Sequence, residues 1–263
     1  MQIAEYIRIL QSYEIYAFSN EDVLKNCIAP ETTLKTEFVR LSKRKQIQNL
    51  RKGFYVIIPA KYQNVFKVPV QLYIDRLFNY IQKDYYLSLY SAAALHGASH
   101  QQIQQDYIIC NGSKMRDIDK GNFSIRFFQT THWPKKNIIQ KKSDAGLFNV
   151  SSPTLTLADL LHYQNKLGGI NRMLAIIEEL AETIQLEDVE ELITWYPHVN
   201  TFQRMGYLLE QFDVNEAILE VIQLHLDKQK VYPMLLSPVK NEKPGSANNR
   251  WKIDVNITLE NDL

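Results

Sequence analysis

The chain has 263 residues, enough for one large domain or two of ordinary size. Apolar residues at 45% and charged residues at 22% exclude a disordered chain, and nine Gly and nine Pro exclude a collagen-like or linker-dominated one. The formal net charge of +1 excludes nothing by itself, but its distribution is uneven: residues 1–67 carry 11 Lys/Arg against 6 Asp/Glu, whereas residues 173–227 carry 12 acids and one base, Arg204. Such asymmetry suggests a polyanion-binding module joined to a part that does not bind polyanions. No apolar run approaches the roughly 18 residues that cross a bilayer, and the opening Met1-Gln2-Ile3-Ala4-Glu5 lacks the basic and apolar regions of a signal peptide. Cys27 and Cys110 are too few for a disulfide framework and are read as free thiols, so the expected location is the cytoplasm, away from any membrane.

In chain order, Ile3, Ile7 and Leu10 share a face and predict a helix over 2–12. Ser19 or Asn20 can cap a second helix, with Glu21 and Asp22 in its first turn. Pro30 and Glu31 open a third, reaching Arg44, whose apolar stripe is Leu34, Phe38 and Leu41. Its opposite face carries Thr32, Thr36, Arg40 and Lys43, with Thr33 at the flank, and reads as hydroxyls and cations without acid. Then Ile47–Leu50 and Phe54–Ile58, around Arg51-Lys52-Gly53, predict a hairpin with a basic tip. Three helices followed by a hairpin is the order of a winged helix-turn-helix, which lays its last helix in the major groove and rests the wing on the backbone.

On that reading Arg40 offers a bidentate fork to a guanine edge and Thr36 reads a base edge or a thymine methyl. Lys43, Arg44, Lys45, Arg51 and Lys52 neutralise phosphates, which positions the protein without reading sequence. About six engaged cations predict a log–log salt slope of about −5. A basic helix face is also what a plain solvated surface looks like, and winged helices can bind proteins instead of DNA.

Val68-Pro69-Val70 reads as a junction, dividing a winged helix-turn-helix at 1–67 from a larger mixed domain at 68–263, an α+β chain overall. Beyond it, a helix is predicted over 75–82, and Tyr85 to Gly97 reads as its continuation. Strands are predicted at 107–110, 123–128 and 148–150. Ser152 and Pro153 then open a helix, and the chain stays almost wholly helical through about 170–184, 187–195, 200–212 and 214–229. The segment from Lys240 to Asn249 reads as a loop, and Trp251–Ile257 as a closing strand.

Catalytic patterns are weaker. Gly112-Ser113 with Asp117 and Asp119 has the parts of a nucleotidyltransferase signature, in which two carboxylates hold a metal, but three residues separate Ser113 from Asp117 where about ten are needed to enter a helix. His96 and His100 are four apart, yet Gly97 stands where a zinc peptidase needs Glu. His132, His162, His198 and His225 have no partner ligand at metal spacing, and Lys135-Lys136 and Lys141-Lys142 read as solvated loops. The acidic helices read as a bundle with an acidic exterior, or as an interaction surface. No catalytic residue, metal or cofactor is assigned. The alternatives kept open are a metal-dependent enzyme using Asp117 and Asp119 and a protein-binding winged helix.

Several segments resemble those of the AbiEi antitoxins of type IV toxin–antitoxin systems. Leu41 through Pro59, centred on Lys52-Gly53-Phe54-Tyr55, is similar to that family's wing. Ser91-Ala92 through His96-Gly97, Ser152-Pro153 through Asp159, and Arg204-Met205-Gly206-Tyr207-Leu208-Leu209-Glu210 resemble three further segments, and the stretch around Trp251 is also similar. The wing entry departs from the family, which has Gly where Lys45-Gln46 stands. The resemblance implies an autorepressor that binds inverted repeats in its own promoter. It also implies a C-terminal domain that counters a nucleotidyltransferase toxin without a stable complex.

Overall fold

The computed structural model describes residues 1–28, 30–99, 104–238, 243–245 and 247–260. The chain runs α1 (Ile3–Ser12), β1 (Ala17–Ser19), α2 (Asn20–Asn26), α3 (Glu31–Lys43), β2 (Ile47–Arg51) and β3 (Phe54–Ile57). It continues through α4 (Ile74–Ile81), β4 (Tyr85–Leu87), α5 (Leu89–Leu95), β5 (Asp106–Asn111), β6 (Ile118–Lys120), β7 (Phe123–Thr130), β8 (Ile138–Ser143) and β9 (Gly146–Ser151). It ends with α6 (Pro153–His162), α7 (Gln164–Leu167), α8 (Ile170–Ala181), α9 (Leu186–Ile193), α10 (Val199–Gln211), α11 (Glu216–Asp227), β10 (Met234–Leu235) and β11 (Ile253–Asp254). The fold class is α+β. No helix among the described residues is long and apolar enough to cross a membrane.

Contacts divide the chain into two units, but not at residue 67. The first holds Met1–Tyr86, Gln104–Gln129 and Gln140–Asn149, and the second Leu87–Ile103, Thr130–Ile139 and Val150–Leu263. The junction expected at Val68-Pro69-Val70 is not an exposed linker, because Val68, Val70, Leu72 and Tyr73 are all buried.

In the first unit, Ile3, Tyr6, Ile7 and Leu10 of α1 meet Val23 of α2, the Leu34/Phe38/Leu41 stripe of α3, and Phe18, Ile47 and Ile57 from the strands. The helical period thus decides which faces are buried. Helix α2 starts with a capping box: the Ser19 hydroxyl accepts from the Asp22 amide at 3.1 Å, and the Asp22 carboxylate accepts from the Ser19 amide at 2.8 Å. That pair satisfies two of the free amides at the helix start and stabilises it by about 1 kcal/mol. Strand β3 is central, with β1 and β2 antiparallel on its two sides.

A second sheet has the order β6-β7-β5-β4-β9-β8. Phe123, Ile125 and Phe127 of β7 alternate inward. Tyr85–Leu87 is a strand of this sheet rather than part of a continuous helix, and Gln82, in the left-handed region at φ 53°, ends α4 before it. Segment 138–143 is an edge strand, not a loop.

In the second unit α6 is central, buried from Thr154 to Leu161, with α5, α8, α9 and α10 packed around it. Its start follows the sequence: the Ser152 hydroxyl accepts from the Leu155 amide at 3.3 Å and Pro153 takes the first turn. The closing strand predicted over 251–257 is confined to β11, paired in parallel with β10.

Candidate nucleic-acid interface

Helix α3 is held by its apolar side. Phe38 stacks on Tyr55 at 4.6 Å and on Phe18 at 6.1 Å between centroids, while Leu34 and Leu41 are buried beside it. This turns the other face outward, and Thr32, Thr33, Thr36, Arg40, Lys43, Arg44 and Lys45 are all exposed. The Thr36 hydroxyl donates to the Thr32 carbonyl at 3.0 Å, so its oxygen is left to accept from a partner.

The face is not free of acid. Arg40 Nη2 lies 2.6 Å from Glu37 Oε2, with nearly half of the Arg40 side chain exposed. An exposed pair of this kind contributes roughly 0–1 kcal/mol, so Arg40 can exchange it for a base edge at little cost. The sequence reading missed Glu37 because it lies at the edge of the face, within reach of Arg40 one turn on.

The exit from α3 explains the departure at the wing entry. Lys45 itself takes the left-handed conformation, φ 56°, that glycine usually supplies. The Lys45 amide donates to the Ser42 carbonyl at 3.0 Å and the Gln46 amide to the Leu41 carbonyl at 3.0 Å, closing the last turn. The Lys45 ammonium sits 5.4 Å from the Phe66 ring centroid.

The hairpin corrects the sequence reading most strongly. Arg51 does not share the surface of α3. Its Nη2 donates to the Arg116 carbonyl at 2.6 Å, and the guanidinium lies over the Phe127 ring at 5.0 Å. Burial lowers its pKa from the usual guanidinium value. Nearby, Lys120 donates to the Asn49 side chain at 3.1 Å and the Tyr80 hydroxyl to the Lys52 carbonyl at 3.2 Å. Gly53, at φ 75°, leaves room for that hydroxyl, since a Cβ there would meet it at 2.6 Å. The tip is therefore fastened to α4 and to the β6–β7 hairpin, and only the Lys52 side chain remains exposed. Local sequence could not show this, because the aromatic partners lie about thirty and seventy-five residues further on.

The other candidates are engaged structurally. Asp117 accepts from the Phe127 amide at 2.9 Å, and Asp119 accepts from Arg126 at 2.8 Å and Ser124 at 2.9 Å, so both carboxylates brace the β6–β7 hairpin. Among the described residues no three His, Cys, Asp or Glu side chains gather as metal ligands. Ser113 accepts from Lys83 at 2.9 Å. His96 Nε2 contacts the Ser151 carbonyl at 2.7 Å, and His100 lies outside the described residues. Lys136 pairs with Glu191 at 2.9 Å. Cys27 and Cys110 are free and buried.

In the second unit the remaining family-like segments become one framework. Asp159, buried in α6, accepts from the Ser88 hydroxyl at 2.9 Å and the Tyr196 hydroxyl at 3.3 Å. Ser151 and Thr156 share a hydrogen bond of 2.7 Å beside them. Arg204, only 9% exposed, donates to the Leu236 carbonyl at 3.0 Å and the Leu235 carbonyl at 3.1 Å. Burial lowers its pKa to about 10, so it stays charged at neutral pH. Gly206 gives room to the fully buried Trp251 ring, whose Nε1 donates to Glu210 at 2.7 Å. These residues thus hold helices and the C-terminal strand together.

Residues 86–211, just under half of the chain, match the model of the AbiEi antitoxin C-terminal domain, which supports an antitoxin role. Among solved structures the chain is similar to the RV2827C protein from Mycobacterium tuberculosis, with a TM-score of 0.66 and 14% identity over 95% of this chain and 89% of that one. This likeness concerns the fold. No curated protein matches the sequence.

Proposed function

We infer that the first unit is a winged helix-turn-helix that binds duplex DNA through α3, and that the protein represses its own operon while serving as its antitoxin. The observation that carries this is the outward face of α3: Thr32, Thr36, Arg40 and Lys43, continued by Arg44 and Lys45, exposed together on a helix fixed by its opposite side. The run α1-β1-α2-α3-β2-β3, with β3 between β1 and β2, supports the same reading. Arg40 and Thr36 face base edges, and Lys43, Arg44, Lys45 and Lys52 face phosphates. Arg51 is not in the contact set.

The domain match supports an antitoxin role, and the second half of the proposal extends it to a type IV phage-defence system in which a nucleotidyltransferase toxin is countered without a stable complex. A gel-shift titration with DNA from the protein's own promoter tests the first half. Arg40→Ala with Lys43→Ala should weaken binding at least tenfold, since a good bidentate base contact alone contributes roughly 1–3 kcal/mol. Unchanged binding in this double variant would remove α3 from the interface. Rescue of growth from a co-expressed toxin by that same DNA-binding variant would show that the two roles are separate.

A further inference from the structure

The outer face of α3 contains an apolar residue with no partner in the protein's core. Val39 is 56% exposed, although α3 has a buried stripe available for apolar side chains. At about 100° per residue, Val39 falls about 20° beyond Thr32, at the edge of the arc that runs from Thr32 through Lys43 and Thr36 to Arg40. A scattered exposed valine is ordinary on a protein surface. Here it is surrounded by cations and by threonines bearing methyl groups, and the one acid at the edge, Glu37, is paired with Arg40. Positive charge around an apolar centre suits a groove wall that is anionic at its phosphates and apolar at one point only. In the major groove that point is the 5-methyl group of thymine, which side-chain methyls recognise.

We propose that Val39 is a specificity-determining residue, packing its methyl groups on a thymine methyl in the operator. This rests on the DNA-binding reading of α3. It assigns the adjacent residues Arg40 and Val39 different tasks, guanine recognition and thymine recognition, about 100° apart around the helix.

The test uses the full chain and duplexes enriched on it from a random-sequence pool. The enriched site is then rebuilt with deoxyuridine replacing thymidine at one position at a time, which removes a single methyl group. One buried methyl corresponds to about a fourfold change in affinity. Wild type should lose about fourfold at one or two thymines and nothing elsewhere. Val39→Ser should bind the thymine and uracil duplexes equally while keeping the wild-type salt dependence, and Val39→Ala should lie between. Circular dichroism melting shows that each variant is folded. Enrichment of a site with no sensitivity to uracil, or sensitivity that survives in Val39→Ser, overturns the proposal and leaves DNA binding standing. A change in oligomeric state on Val39→Ser, with no effect of uracil, assigns the residue to contact with a second copy and also overturns it. Failure to enrich any duplex overturns both this proposal and the reading on which it rests.

Discussion

Lys45 holds a left-handed backbone where α3 ends, and an L side chain in that region costs about 1–2 kcal/mol relative to the right-handed form. Lys45→Gly should therefore raise stability by roughly 0.5–1 kcal/mol, less the loss of the Phe66 contact. If α3 binds DNA as proposed, the same change should weaken that binding, because it removes a proposed phosphate partner. Thermal melts and DNA titrations on one preparation would show the two quantities moving in opposite directions, and a fall in both would contradict this account of the α3 exit. Gly206 is the reverse case. Gly→Ala inside a helix ordinarily stabilises by up to about 1 kcal/mol. Here the new Cβ would stand 2.3 Å from the Trp251 ring, so Gly206→Ala should instead destabilise by about 2 kcal/mol or more, visible as a lower urea midpoint. A raised midpoint would show that Trp251 is not seated against α10.

At the scale of elements, the end of α6 meets the start of α10 through two stacked rings, His162 and His198, with centroids 3.8 Å apart. Burial, then the neighbouring His198, pushes the His162 pKa down to about 4, and burial also lowers that of His198. In the unfolded chain a histidine titrates near 6.5. Between these values the unfolded state binds more protons, so the contribution of His162 is complete above about pH 6.5 and is lost as pH falls towards 4. His162→Phe keeps a ring against His198 and should make stability depend less on pH in that window, as read from urea midpoints at several pH values. An unaltered pH dependence would contradict the burial of the pair.

Elements were legible where their pattern is long and local. The stripe Leu34, Phe38, Leu41 and the Ser152-Pro153 start identify α3 and α6 from sequence alone, because the helical period and the cap lie within a few residues. Strand β1 has three residues, too few to show an alternation, and is a strand only because it pairs with β3. Strand β8, Ile-Ile-Gln-Lys-Lys-Ser, lies at a sheet edge, where lysines are favoured and the apolar period fades. The fastening of Arg51 depends on Phe127 and Arg116, far along the chain, so no local pattern could separate a half-buried, engaged arginine from a solvent-facing one. Val39 was within reach, because the same wheel that selects Thr36 and Lys43 also places it on that face.

For the whole molecule, a docked hairpin changes how DNA would be held. With Arg40 on a base, a free hairpin would leave five phosphate partners and a salt slope of about −4.5, whereas with Arg51 engaged elsewhere Lys43, Arg44, Lys45 and Lys52 leave four and a slope of about −4. The fastened tip also fixes α3 against α4 and the β6–β7 hairpin, so its orientation belongs to the unit as a whole and not to the first 67 residues. The most direct measurement is the dissociation constant for the promoter duplex across a series of salt concentrations, for wild type and Lys43→Ala. The expected result is a wild-type slope of about −4, reduced by about 1 in the variant. A flat salt response, or a slope that does not change when Lys43 is removed, would show that α3 does not meet the phosphate backbone.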